Sequence, residues 1–587
     1  MKGAPLNKAP IKGKSLTEVL AQSRNLYGQK IFMKSFQDGS FVGMTFAEFA
    51  DKAENIAKGL LASGLKKGEK VAILSANRPE WGAAYMGVLL AGGINVPLDA
   101  LLKITSWSYI VQSSGAKMLV VSKSFLADFE PILDDLPGLK LVICMDDIEP
   151  DSKATSLQEF EELGKKYQTK LPVVKTSDIA SILYTSGTTG QAKGVLLTHE
   201  NIVSDIDGMT DLVAIEEQDT FLSVLPIHHA FECTCGFLTP LASGSCIVYA
   251  RGLASKLIIE DIKTNKATIL LGVPLLFEKM HDGIFKAIAK KPPFTRVMFT
   301  ATYVLSKLLA STFVNNPGKR IFKGLREKAG FTSMRMLIAG GAPMPPEVSK
   351  AFKLLGFSFT QGYGLSESAP VLTINPVDSK NKDASIGLAI PGVELKIVDP
   401  DSRGIGQIIA RGPMVMKGYY NNPEATSEVL KGGWLYTGDS GWIDEDGYFY
   451  IAGRVKNVIV TPAGKNVYPE EIEGELNKSV YIMESLVLGR PLEGIRGEEI
   501  EAIIVPDYEY FNSLGSETGK NFTTDEIEKT IKAEVFRLSS GLAEFKKVKY
   551  IKIREEEFEK TSTKKIKRYL FTQKSEPVYN KIGKGRA

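Results

Sequence analysis

The chain has 587 residues, too many for one hydrophobic core, so two or more domains are expected. Its 44% apolar and 24% charged residues are ordinary for a globular protein, and a formal net charge of +4 gives no ground for expecting a nucleic-acid partner. The four cysteines, Cys144, Cys233, Cys235 and Cys246, are too few for a disulfide framework, and Cys233-x-Cys235 lacks the second ligand pair of a zinc site. Buried free thiols in a reducing cytosol are expected instead.

From the N-terminus, residues 1–15 are lysine-rich without the apolar core of a secretory signal. Thr45-x-x-Glu48 is a capping box. Phe46, Phe49, Ala50, Ala53, Ile56, Ala57, Leu60 and Leu61 follow at three- and four-residue steps and give the helix one apolar face. Short apolar runs at 71–74, 94–96, 118–121 and 141–144 read as buried strands, with a helix over about 80–90. The run 85–98 is the nearest approach to a membrane span, but it is short and contains Asn95 and Pro97. Alternation of strand and helix argues for a parallel, doubly wound sheet. The pattern resumes at 179–183, 194–197, a helix from about 200, and strands at 246–249 and 268–272. Residues 281–331 are basic and helical in character, an insertion before a strand at 335–338. Beyond about 387 the texture is β-rich, with a hairpin whose loop is residues 444–447. After Arg454 come a strand at 458–460, a helix from about 469, a strand at 499–505, a helix at 524–538 and a strand at 548–553, a small α+β unit.

The most telling segment lies between two of these strands. Thr185, Ser186, Gly187, Thr188, Thr189 and Gly190 precede Lys193. Small residues let backbone N–H groups close on a polyphosphate, hydroxyls add donors, and the lysine supplies a charge. The spacing is neither that of a Walker loop nor that of a dinucleotide fingerprint. Downstream come Gly340-Gly341-Ala342-Pro343, Gln361-Gly362-Tyr363-Gly364-Leu365-Ser366-Glu367, Tyr436-Thr437-Gly438-Asp439, Gly453-Arg454-Val455-Lys456-Asn457, and a run from Lys560 through Lys565 to Ile566. In this order and at these separations the motifs resemble the adenylate-forming superfamily of acyl-CoA synthetases, luciferases and peptide-synthetase adenylation domains. The resemblance spans nearly the whole chain.

It implies an α/β fold: a large N-terminal domain, 1–453, of doubly wound mixed sheets with a β-rich part, a hinge at 454–457, and a small mobile α+β C-terminal domain, 458–587. It implies ATP, Mg²⁺ and CoA. The Thr185–Gly190 stretch and Lys193 would hold phosphates. Gly341, Ala342 and Pro343 would border adenine, the Tyr363 ring would stack on it, and Gln361, Gly362 and Gly364 would belong to the same nucleotide site. Ser366 stands where threonine is commoner in the family. Glu367 would hold Mg²⁺, which takes one or two carboxylates and completes its shell with phosphate and water. Asp439 would accept hydrogen bonds from the ribose hydroxyls, and Arg454 would reach the ribose or phosphates. His229, in Leu225-Pro-Ile-His-His-Ala-Phe-Glu232, would gate the acyl carboxylate; capping of a helix end is the alternative. Lys565 aligns with the catalytic lysine, Lys564 being the other candidate. Two departures from the family pattern stand beside it, Glu559 for proline and Lys564 for glycine. Lys456 would be the hinge residue, and Gly464 and Lys465 would face the site for thioester formation.

The insertion and the string from Val273 to Met280 look like the long-chain fatty acyl-CoA synthetase branch, with fatty acid, ATP and CoA as reactants. A fatty acid–acyl carrier protein ligase and a non-catalytic lipid- or nucleotide-binding relative are the alternatives. A cytoplasmic location is expected, with a peripheral contact to the inner face of the membrane through the basic insertion. The lysine-rich stretch 546–567 reads either as a solvated face or as a contact to an anionic partner. Oligomeric state is left open, a homodimer included.

Overall fold

The computed structural model describes residues 10–149, 152–185, 192–310, 316–377, 380–492, 494–561 and 565–572. These divide into two compact units, one reaching to Ile451 and the other starting at Ala452.

The first unit holds two large sheets. Among the described residues, nine strands form the first, whose middle is parallel: Cys246–Tyr249, Thr220–Ser223, Ile269–Gly272, Met336–Ala339 and Ser358–Gly364 are successive neighbours. Their register, with Gly272 opposite Ala339 and Ala339 opposite Gln361, aligns the C-terminal ends of these strands along one edge. The eight-stranded second sheet has a parallel set of Ile94–Pro97, Lys70–Leu74, Met118–Val121 and Leu141–Cys144. Two of these match the apolar runs residue for residue, because a strand buried on both faces is written as a continuous apolar block.

Parallel winding alone does not describe the sheets, which are mixed. Ile179–Thr185 and Lys193–Thr198 pair antiparallel, with Thr185 opposite Lys193. Only residues 186–192 separate them, too few for the dozen or more a parallel crossover needs. Val371–Ile374 likewise returns antiparallel against Ser358–Gly364. A β-rich part follows with Glu394–Val398, Gly406–Arg411 and Trp434–Ile443 paired antiparallel.

The capping box forms as expected: Thr45 N–H and Oγ1 both donate to Glu48 Oε2, at 2.8 and 2.9 Å, and Glu48 N–H returns to Thr45 Oγ1. The helix it opens, Phe46–Ala62, buries Phe46, Phe49, Ala53, Ile56 and Leu60. Beneath it an aromatic cluster fills the core. Trp81 stacks on Tyr85 with centroids 5.3 Å apart, and Phe237 meets both edge-on at about 6 Å. Cys144, Cys233 and Cys235 are buried free thiols, and Cys246 is half-buried. No helix among the described residues is long and apolar enough to cross a membrane.

Phe237 sits on a wide π-helical turn, Glu232–Leu238, that sequence periodicity did not announce. Such turns cluster at functional sites. Here it seats a buried acid: Ser223 Oγ donates to Glu232 Oε1 at 2.6 Å, and a Cβ on Gly236 would meet the carboxyl at 2.6 Å. Burial pushes the Glu232 carboxyl up to about 8. The folded chain therefore keeps a proton that the unfolded chain has already released, and stability falls as pH rises from the ordinary 4.5 to about 8. Glu232→Gln removes that contribution. Urea unfolding across this window should show the variant gaining on the parent by a few kcal/mol towards pH 8, the offset flattening beyond it.

The second unit contains the sheet Ile482–Leu492, Ile495–Pro506 and Tyr550–Ile553, the small hairpin Ile459–Val460 and Asn466–Val467, and the helices Pro469–Leu476, Tyr508–Thr518 and Thr524–Ser539. Its core gathers Ile472, Leu476, Val487, Ile504, Ile531 and Val535.

Candidate active site

The C-terminal edge of the parallel strands, the edge where open α/β sheets bind ligands, carries Gly341, Ala342 and Pro343 in a loop, Gln361–Gly364 at a strand end and Ser366 and Glu367 in the turn after it. Leaving Met336–Ala339, the chain runs through Gly340 and Gly341. A Cβ on Gly340 would press the Phe231 ring at 3.0 Å, and Gly341 has φ +83°, a left-handed conformation that favours glycine. Gly341, Ala342 and Pro343 are exposed, a small-residue ledge. On the next strand the Gln361 amide donates to the carbonyls of Asp383 (3.0 Å) and Ser385 (2.5 Å), so its side chain braces a loop.

Two carboxylates are fixed by tyrosines at this edge. Tyr363, half-buried, donates its hydroxyl to Asp439 Oδ2 at 2.7 Å and joins motifs 76 residues apart. Thr437 Oγ1 accepts the Asp439 N–H at 3.1 Å and itself donates to Ile408 O, fixing the Asp439 backbone. Glu367, in the short turn Ser366–Ser368, accepts from the Tyr419 hydroxyl at 2.8 Å, and its backbone carbonyl accepts Met416 N–H. Tyr419 is placed by Gly418–Tyr419 pairing antiparallel with Lys193–Thr198, which sets Lys193 Nζ 5.3 Å from the centre of the same ring. Lys193, Tyr419 and Glu367 thus form one array. Thr185 Oγ1 lies 3.5 Å from Lys193 O. Ser186, Gly187, Thr188, Thr189 and Gly190 lie outside the described residues.

A half-buried carboxylate with a hydroxyl on one oxygen, beside a lysine, fits a hard cation that keeps phosphate and water in its other positions. Tyr419→Phe leaves the charge of Glu367 but removes the group that aims it. Loss of an outer-shell partner of this kind costs about 10–100-fold in metal affinity. Calorimetric titration should show Mg²⁺-dependent ATP binding weakened by that factor, with Mg²⁺-free binding little changed.

His229 is half-buried, its backbone carbonyl accepting Cys233 N–H at 2.9 Å. Its ring lies 4.2 Å from that of His228, whose Nε2 is 3.1 Å from Asp99 Oδ1. Asn77 clamps the same segment, donating to Leu225 O and Ser223 Oγ and accepting Ile227 N–H. Asp99, His228 and His229 bring one ligand atom each within 4.8 Å of one another.

The remaining motif residues belong to the second unit. Arg454 is half-buried and ends a strand, Lys456 is exposed on the single turn Val455–Asn457, and Asn457 donates to Glu470 at 2.7 Å. Gly464 (φ +71°) and Lys465 form the exposed hairpin turn, closed by Thr461 N–H on Lys465 O at 3.0 Å. Lys565 sits where Thr561 N–H donates to Lys565 O at 2.8 Å and Lys565 N–H to Thr561 Oγ1 at 3.2 Å. Lys560 pairs with Glu484 and Glu557. Lys564 lies outside the described residues.

Sequence reading missed Tyr419, which has no motif of its own. It also left His228 and Glu232 without roles, although both stand in the quoted string around His229.

The sequence model of the AMP-binding enzyme family matches residues 20–420, and the chain belongs to that family of adenylate-forming enzymes. It is 30% identical over 510 residues to the long-chain-fatty-acid–CoA ligase heimdall of Drosophila melanogaster, covering 78% of this chain and 74% of that protein. It is 27% identical over 582 residues to the chloroplastic long-chain-fatty-acid–[acyl-carrier-protein] ligase AEE15 of Arabidopsis thaliana, covering 86% of this chain and 78% of that one. In fold it matches ATP-bound MatB from Rhodopseudomonas palustris with a TM-score of 0.73, over 96% of this chain and all of that one at 24% identity.

Proposed function

We propose that the protein activates a long-chain fatty acid with ATP as an acyl-adenylate and then transfers the acyl group to CoA, releasing pyrophosphate and AMP. The observation that carries this reading is the Tyr363–Asp439 hydrogen bond. It joins an aromatic face suited to a base with a carboxylate suited to vicinal hydroxyls, beside the Lys193–Tyr419–Glu367 array. The similarity to the Drosophila ligase supports the choice of acid.

In the first half-reaction a carboxylate oxygen bonds to the α-phosphorus as the bond to the β-phosphate bridging oxygen breaks. Both reactants are anions, so the chain must offset their repulsion. Lys193 and Lys565 would neutralise phosphate charge as it develops, and His229 would orient the acid. Tyr363 would hold the base and Asp439 the ribose. Mg²⁺ held by Glu367 would supply further positive charge. In the second half-reaction the thiol loses its proton to solvent, its sulfur bonds to the acyl carbon, and the bond from that carbon to the AMP oxygen breaks, releasing AMP. We assign the hinge between the two steps to Lys456, ribose or phosphate contact to Arg454, and the thiol side to Gly464 and Lys465.

ATP–pyrophosphate exchange across acids from acetate to oleate tests the reading. Exchange should rise with chain length, since each buried CH₂ contributes about 0.8 kcal/mol. Exchange with no acid, or with acetate alone, would reject it. A second reading has acyl carrier protein as acceptor, favoured by the likeness to the Arabidopsis ligase. Offering CoA or acyl carrier protein with palmitate and ATP separates the two by which thioester forms.

A further inference from the structure

The helix Pro293–Ala310 has two apolar faces. One packs inward. Phe299 and Tyr303 are partly buried, Phe299 lying against Phe285 and Phe322, while fully buried Ser306 donates to Leu354 O at 2.8 Å. The other looks out. Phe294, Val297, Met298, Ala301, Val304 and Leu305 recur at helical spacing on the side opposite Phe299 and Ser306, and all six are exposed, Phe294 at 74% and Val297 at 67%. Scattered exposed apolar side chains are ordinary, but a stripe running roughly 17 Å along one helix is a contact surface.

Charge identifies the contact. Between Gly283 and Arg326 the sequence holds nine lysines and arginines and neither aspartate nor glutamate. Lys290, Lys291, Arg296 and Lys307 are exposed on or just before this helix. An apolar stripe flanked by cations is the pattern of a helix that lies in the interface of an anionic membrane, apolar face among the acyl chains and cations at the headgroups. A second copy of the chain fits poorly, because a two-fold contact through this stripe would bring like charges together.

We propose that the outward face of Pro293–Ala310 docks the protein on an anionic phospholipid bilayer. The surface needs neither nucleotide nor acid, so its test is independent of the proposed reaction. The test is flotation of the full chain with phosphatidylcholine vesicles, with and without phosphatidylglycerol. The chain should float with the anionic vesicles and be released by salt. Val297→Glu combined with Leu305→Glu should lower partition by about a hundredfold, since two side chains lose their burial. Lys290→Glu combined with Lys291→Glu should lower it by at least about tenfold. All four positions face solvent, and a thermal melt verifies that the variants keep the fold. Three results would overturn the proposal: no flotation with anionic vesicles at low salt, binding untouched by the Val297/Leu305 pair, or that pair abolishing self-association in sedimentation while the parent ignores vesicles.

Discussion

Lys565→Ala should slow ATP–pyrophosphate exchange by about 10²–10³-fold while leaving thiolysis of a supplied acyl-adenylate far less affected. The magnitude is that of removing one preorganised charge from a site where two anions meet. The substitution should leave the flanking backbone pairing standing. Lys560 bridges to Ile566, Lys567 N–H donates to Glu559 O at 2.8 Å, and the Arg568 guanidinium binds Glu473 and the Val487 carbonyl. Glu473 is mostly shielded from solvent, and that desolvation pushes its carboxyl up to about 6 despite the opposing arginine; its Oε1 accepts Val487 N–H. The flanks are therefore held by groups the substitution does not touch. Glu559 contributes to this pairing through its carbonyl, which a proline would also offer, so this departure from the family pattern leaves that bond intact. Equal loss of both half-reactions would mean that Lys565 serves structure or both steps. A comparable loss in Lys564→Ala, with Lys565→Ala active, would move the role by one residue.

The parts of the fold legible in the sequence are those written locally. Residues 118–121, 141–144 and 246–249 are apolar blocks that became strands with the same bounds, and the Thr45 capping box sits at its helix start. What the sequence hid depends on pairing across distance. In the strand Ile482–Leu492 the apolar run Leu486–Leu488 is only three residues long and is followed by Gly489, Arg490 and Pro491; its pairing with Ile495–Pro506 sets its full length. The antiparallel turn-back at Thr185–Lys193 is a matter of loop length rather than pattern. At the candidate site, glycine- and hydroxyl-rich motifs were visible because a loop that closes on phosphate would need several adjacent small and hydroxyl residues at once. Tyr419 was invisible because it reaches Glu367 only through the pairing of Gly418–Tyr419 with Lys193–Thr198. Glu232 was hidden because a buried neutral carboxyl and an exposed charged one are spelled alike.

Gly364→Ala should be the most damaging methyl group that can be added near the site. Gly364 ends the strand that carries Tyr363 and precedes the turn that carries Glu367. A Cβ there would lie 1.7 Å from Pro370 O and 2.7 Å from its carbonyl carbon, backbone atoms that no rotamer change can move aside. That oxygen also holds the turn together, accepting Leu365 N–H at 2.9 Å and the Ser368 hydroxyl at 2.7 Å. Relief of the overlap therefore pulls on both anchors and shifts Tyr363 relative to Asp439 and Glu367 relative to Tyr419. Overpacking of this kind costs about 3 kcal/mol, and a displacement of about 1 Å at a reacting centre lowers rate by roughly 10²-fold. Denaturant unfolding should show the first loss and ATP–pyrophosphate exchange the second. Gly283→Ala is the matched control: it lies inside the helix Pro274–Ala289, an added Cβ meets nothing within 4 Å, and helix propensity favours alanine by up to about 1 kcal/mol. If Gly364→Ala matched that control in both stability and exchange, the close approach of Gly364 to Pro370 would not be what fixes the Tyr363–Glu367 turn.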